Sequence, residues 1–486
     1  ETEVLSTEAM DVYVAKNFPS VVKYKMKGDL AGKTFLGQED AIKTIKINGT
    51  AVELSEDDVE VTFDRNRAQY VMTVKGNNID AVITAELVAE ANTLAFNITK
   101  IENNLEDSVD GYPIQTIEIP NHSLVSVNSA QGNANLKGAA MSGNTRISGD
   151  EYVQIQNNTN LNKDYMYAFV SNDELSAGLW SNSENEGRVV YAVASGGSYN
   201  TRVMATTQNT GDGKSVGLSS CKWYYHRVVT DSRGRRYMVE ETAMPQTKII
   251  IADDMNDDEQ IDWQDGAVAF RSIMNNPFKS EEVPELVAYR ISMNFGGQAQ
   301  NPFLTALDNV KRVAMHTDGL GQSVLLKGYA NEGHDSAHPD YADIGKRIGG
   351  AEEMNVLMTK GAQYGARFGI HVNASETYPE SIYFTEDRLK KNADGSLSFG
   401  WNWLDQGVNI DADYDLRNGR EQRFVDLWEA LGGEDNDLDF IYVDVWGNGQ
   451  SGDNGTWASR QLAKEITQTC GWRLGSEWGH ANEYDS

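Results

Sequence analysis

Cysteine, proline, histidine and positive charge are all scarce in this sequence. Two cysteines, Cys221 and Cys470, stand far apart in 486 residues. No CxxC pair occurs, which excludes a zinc ribbon and a thioredoxin-type redox site. The pairing of Cys221 with Cys470 is left open. Lys+Arg 42 against Asp+Glu 72 gives a net charge of -30. So acidic a surface repels phosphate backbones and anionic lipid, which argues against nucleic acid as a partner. No apolar run approaches the span of a bilayer, so the sequence carries no transmembrane segment. A starting methionine and a charged-then-apolar leader are both missing, so the chain reads as a segment of a longer protein.

Hydrophobic residues at 40% and charged residues at 23% are globular proportions. The length suggests two or three domains. Low proline beside abundant Gly, Asn and acidic residues fits secreted proteins that bind calcium or sugars.

The two halves follow different periods. Up to about residue 250, short runs alternate apolar and polar residues, as in 43–54, 59–76, 79–103, 188–195, 202–208 and 222–230. Period two means half-buried strands. Asn48-Gly49 and Gly76-Asn77 tolerate positive φ and suit hairpin turns. A large antiparallel β-sandwich over residues 1–280 is expected. From about residue 285, strands near 288–296, 323–330, 366–374, 440–447 and 473–479 alternate with helices near 301–316, 343–365, 420–433 and 456–470. Such βα units with apolar strands imply a parallel sheet, and a (β/α)8 barrel is the first expectation. Residues 281–486 hold only about five of its eight strands.

Asp444 sits near the C-terminal end of the apolar strand FIYVDVWG, and Glu477 near the end of the next, RLGSEWG. A carboxylate there costs several kcal/mol of desolvation unless it is paired or used. Neighbouring strands lie about 4.8 Å apart. That suits the roughly 5–5.5 Å carboxyl separation of a retaining glycosidase. A pair of salt-bridged strand-end acids is the alternative. Asp335 with His334, and His371 with Asn373, follow earlier strands and belong to the same rim. The spacing of His334 and His338 hints at a metal, but Gly333 and Pro339 argue against one helix holding both, and the Glu of HExxH is missing. Trp401 and Trp403 lie in a polar, Gly-rich loop, either as buried anchors or as a platform for a sugar ring. Separately, Asp254, Asn256, Asp258, Gln260 and Asp265 occupy the ligand positions of an EF-hand-like loop. Structural Ca2+ is expected there, with a solvated acidic turn as the alternative.

The stretches 327–341 (KGYANEGHDSAHPDY), 371–381 (HVNASETYPES), 400–405 (GWNWLD), 442–466 and 476–486 resemble the endo-α-N-acetylgalactosaminidases, large bacterial cell-surface glycosidases. The resemblance extends to the calcium-type loop and, more weakly, to the β-rich half. It implies a galactose-mutarotase-like sandwich followed by a (β/α)8 barrel, here truncated at the C-terminus. It also implies retaining hydrolysis that releases Galβ1-3GalNAc from Ser/Thr of mucin-type glycoproteins, at the cell surface or in secreted form. By motif position Asp444 matches the nucleophile and Glu477 the acid/base. Asp335 and His334 match disaccharide-binding residues, and Trp401 and Trp403 match a loop that closes over the sugar. Two rival readings remain: another retaining exo-α-glycosidase, and a non-catalytic mucin-glycan-binding module.

Overall fold

The computed structural model describes residues 1–139, 141–142, 147–148, 151–183, 185–189, 198–240, 243–401, 404, 406–444 and 457–476. They form two compact units. One comprises Glu1–Val229 with Tyr237–Met274, the other Thr230–Arg236 with Asn275–Ser486.

The first unit follows the period-two pattern. Along Ile79–Glu90, Ala81, Ile83, Ala85, Leu87 and Ala89 are buried, while the residues between them are partly exposed. Its antiparallel neighbour Thr93–Asn103 sets Leu94, Phe96 and Ile98 opposite Ala89, Leu87 and Ala85, so both strands put apolar side chains on one face. Repetition of this pattern gives an eight-stranded and a nine-stranded sheet. Val12, Tyr24 and Phe35 from one share a continuous core with Tyr70, Leu87 and Leu179 from the other. The expected antiparallel sandwich is present. Asn48 and Gly49 both take positive φ between Thr44–Ile47 and Thr50–Glu53. In the second expected turn Gly76 and Asn77 also take positive φ, Asn78 continues it, and Gly76 pairs with Ile79 as the last ladder residue.

In the second unit five parallel strands lie in sequential order: Ala288–Met293, Gln322–Lys327, Ala366–Asn373, Leu438–Asp444 and Arg473–Ser476. One face carries Val324, Leu326, Phe368, Ile370, Val372, Ile441 and Val443, which share a core with Leu307, Val310, Met354, Leu357, Phe424 and Leu427 of the connecting helices. Gly369 permits a close crossing in the sheet, because a Cβ there would lie 2.2 Å from the Phe440 ring. Among the described residues the first and fifth strands are sheet edges, so closure into a barrel is not observed.

Three expectations need local correction. The helix expected over 343–365 is Gly350–Ala362, preceded by one 3-10 turn at Lys346–Ile348. Gly349 and Gly350 take φ of 124° and 66° and break the spiral between them. The helix over 456–470 is Trp457–Lys464 continued by a π turn, Glu465–Thr469, where Arg420 Nε meets Glu465 Oε2 at 2.9 Å. The second strand stops at Lys327 rather than running to Ala330. Gly328 (φ 83°) turns the chain so close to Asn294 O that a Cβ would lie 2.0 Å from it. No helix among the described residues is long and apolar enough to cross a membrane.

Candidate active site

The early end of the second strand decides what gathers beside the sheet. From Gly328 the chain curls back, and His334 N donates to Asn294 O at the end of the first strand (2.9 Å). Gly333 (φ 112°) and Asp335 (φ 54°) hold the tight path. His334 and Asp335 are thereby buried, with His334 Nε2 3.2 Å from Asp335 Oδ2. The third and fourth strands run in register, pairing His371 with Tyr442 and Asn373 with Asp444. Asp444 is the last residue of its strand. Its Oδ2 lies 3.4 Å from His371 Nε2. The His371 ring stacks on Tyr442 and meets His334 edge-on, with centroids 5.4 and 4.6 Å apart.

Five sequence-designated residues, Asp444, His371, Asn373, His334 and Asp335, therefore stand on one rim at the C-terminal strand ends. Trp401 lies on the loop beyond it with 65% of its surface exposed, so it is not a core anchor. Trp403 and Glu477 lie outside the described residues.

Burial dominates the electrostatics. The Asp335 carboxyl is pushed up to about 6, first by burial and then by the negative charge of Asp444. His334 is driven down to about 3 by burial, assisted by His371 and Lys327, so its ring is neutral at physiological pH. His338 is buried and also lowered to about 3 by burial. Its Nδ1 accepts the Asn373 N–H at 3.2 Å, so it braces the third strand end.

The sequence reading passed over Glu376 and Tyr378. Asn373 Oδ1 accepts the N–H groups of Ser375 and Glu376 (both 3.0 Å), turning the chain so that Glu376 points back to the rim. Tyr378 Oη accepts from Asn373 Nδ2 at 3.1 Å and lies 3.5 Å from Glu376 Oε2. The Glu376 carboxyl is raised to about 7. Burial is the main cause, and the charges of Asp335 and Asp444 add to it; hydrogen bonds from Trp401 N and Tyr378 only partly offset the rise. A Cβ on Gly400 would lie 2.3 Å from Glu376 Oε1, so the glycine-flanked tryptophan loop packs directly on this carboxyl. The signal was a carboxylate three residues past a strand end, inside a segment already singled out for His371 and Asn373.

In the first unit, the acidic loop gathers its side chains as the spacing suggests. One carboxylate oxygen from each of Asp254, Asp258 and Asp265 lies within 4.8 Å of the others. Asn256 stands among them, its amide nitrogen donating to Oδ1 of Asp258, Asp254 and Asp265 at 2.9, 3.0 and 3.3 Å and its amide oxygen turned to the Gln264 side chain at 3.1 Å. Asp265 is fully buried and accepts from Met255 N and Asp262 N (2.8 and 2.9 Å), closing a capping box on the helix Trp263–Phe270. Gln260 contributes its backbone, with N–H donated to Asp258 Oδ1 at 3.0 Å.

An antiparallel sandwich followed by a parallel βα sheet with acids and histidines at its strand ends defines a class: a mutarotase-like domain joined to a glycosidase-type domain. Residues 5–263 match the family model described as a galactose mutarotase-like fold domain, and residues 264–486 that of endo-alpha-N-acetylgalactosaminidase. The second part of the chain, residues 264–486, thus carries a domain of the endo-alpha-N-acetylgalactosaminidase family. A Renibacterium salmoninarum protein provisionally named endo-alpha-N-acetylgalactosaminidase is 34% identical over 487 residues, covering 98% of this chain and 30% of the relative. The chain thus spans less than a third of that relative. The family 36 alpha-galactosidase AgaA of Geobacillus stearothermophilus, solved with stachyose, matches with a TM-score of 0.56 at 9% identity, over 100% of this chain and 73% of its own. The galactosidase domain of the alpha-galactosidase-sucrose kinase AgaSK matches at 0.54 and 11%, over 99% and 72%. At such low identity these two support the fold alone.

Proposed function

We propose that the protein carrying this chain is a retaining endo-glycosidase of secreted or cell-surface location. It hydrolyses the α-linkage between GalNAc and Ser/Thr of mucin-type glycoproteins and releases Galβ1-3GalNAc. The observation that carries this reading is Asp444 at a strand C-terminus, 3.4 Å from His371 and next to the buried His334–Asp335 pair. In the first step an Asp444 oxygen attacks the anomeric carbon of GalNAc. The bond from that carbon to the Ser/Thr oxygen breaks, and Glu477 gives its proton to the departing oxygen. In the second step Glu477 takes a proton from water, whose oxygen displaces Asp444 and frees the sugar. Asp335 and Asn373 supply hydrogen bonds to hydroxyls, neutral His334 shapes the pocket together with the His371 ring, and Trp401 and Trp403 stack on the sugar.

The five strands would be the start of a (β/α)8 barrel. Tyr289, Ile291, Leu325, Phe440 and Leu474 line a cavity of about 510 Å³ on the face turned away from the helices. Tyr289 and Ile291 are more than half exposed there, an apolar surface that a barrel interior would cover. The acidic loop would hold a structural Ca2+ through Asp254, Asn256, Asp258, the backbone of Gln260, and Asp265. Its residues fit a hard cation, because carboxylate oxygens of Asp254, Asp258 and Asp265 converge within 4.8 Å of one another, and a half-turn of the Asn256 amide would add a fourth oxygen.

A core-1 glycopeptide tests the activity. Release of intact disaccharide with retained configuration by wild-type enzyme, and its loss in Asp444→Asn, supports the proposal. Monosaccharide release, or binding without turnover, refutes it.

A further inference from the structure

Two imidazoles in the rim carry nitrogens that the hydrolytic reading leaves idle. His334, Asp335 and His371 are 3%, 6% and 2% exposed. Nδ1 of His334 and Nδ1 of His371 are buried with no hydrogen-bond partner among the described residues. An unsatisfied buried nitrogen is costly, and here two occur on rings whose centroids are 4.6 Å apart. One ligand-type atom from each of the three residues lies within 4.8 Å of the other two. On both rings Nε2 faces a carboxylate, Asp335 at 3.2 Å and Asp444 at 3.4 Å.

We propose that His334, Asp335 and His371 form a site for a divalent transition-metal ion of the Zn2+ type. Two imidazoles and one carboxylate are the donor set of zinc and its neighbours, whereas Ca2+ and Mg2+ select oxygen. Zinc bonds of about 2.1 Å require ligand atoms about 3.4 Å apart, so the trio closes onto the ion by side-chain adjustment. Asp335 and Asp444 supply two negative charges against the one positive charge of Lys327, which keeps the spot attractive to a cation. The same three side chains face the sugar in the proposed function. On that reading, zinc and glycan exclude one another, and zinc is a competitive inhibitor.

The test uses the full-length protein stripped of metal by chelator and dialysis. Calorimetric titration with zinc is run in excess calcium, which saturates any oxygen-only site. His334→Gln and His371→Gln should each weaken zinc binding by about tenfold or more, a loss that even outer partners of metal sites produce. His316→Gln, on an exposed helix end, should leave it unchanged. Absence of zinc binding, or equal affinity in wild type and both rim variants, overturns the site. Should a rim variant lose its fold by circular dichroism, X-ray absorption of zinc-loaded wild type decides: histidine scatterers uphold the site, an all-oxygen shell overturns it. In steady-state assays zinc should raise KM and leave kcat unchanged. Zinc bound by the trio without competition upholds the metal site and instead refutes the placement of sugar there.

Discussion

Glu376→Gln removes a charge that the fold holds at a cost, and its effect on stability has a definite sign. The carboxyl is raised from 4.5 to about 7 in the folded protein, first by burial and then by Asp335 and Asp444. Between those values the folded chain keeps a proton that the unfolded chain has released. Stability therefore falls as pH rises through this window, the reverse of a salt-bridged carboxylate. At 1.36 kcal/mol for each tenfold change in proton affinity, the loss reaches about 3 kcal/mol above pH 7. Glutamine keeps the shape and carries no charge at any pH. Near pH 4 wild type and variant should be about equally stable, or wild type slightly more so. By pH 8 the difference should have moved by about 3 kcal/mol toward the variant, with part of the gain passed to Asp335, which then ionises more readily. Urea unfolding of the second unit at fixed calcium, followed between pH 4 and 8, measures this. A difference that stays constant over the range would refute the assignment of a buried, strained carboxyl.

Four further outcomes follow from the same geometry. Asp415→Ala should destabilise the second unit by about 3–5 kcal/mol in thermal or urea melts, because Arg388 and Arg423 both bond this fully buried carboxylate and would be left unpaired. Asp265→Ala should abolish calcium-dependent stabilisation and also cost about 1 kcal/mol in chelator, where only the lost helix cap counts; an identical melting shift with calcium in both proteins would exclude the loop as its site. Trp401→Ala should lower turnover of a disaccharide substrate while changing stability by no more than about 0.5 kcal/mol, since its indole is exposed; a large loss of stability would contradict that placement. Glu477→Gln should impair natural glycopeptides, whose alkoxide leaving groups need a proton, far more than the first step on aryl glycosides, and azide should rescue Glu477→Ala with retained configuration.

Periodicity alone determined most of the architecture. Alternation along 79–103 gives the central hairpin of the sandwich, and apolar runs such as 366–373 give buried parallel strands, because each strand must hide one or both faces. The gathering of Asp444, His371 and Asn373 was legible too, since parallel strands in register bring their C-terminal ends side by side. Local breaks were less so. Gly349 and Gly350 interrupt an otherwise helical spacing through their positive φ, which hydrophobic period does not report. The shared rim of His334, Asp335 and His371 was legible as well, but only the tertiary structure set their side chains in direct contact, through the return made at Gly328 and anchored on Asn294. It alone also folded Glu376 back against the tryptophan loop. Both depend on a chain reversal fixed by contacts with distant backbone. Residues brought together by such contacts share no period, and their charge state is set by burial that the linear order of residues does not contain.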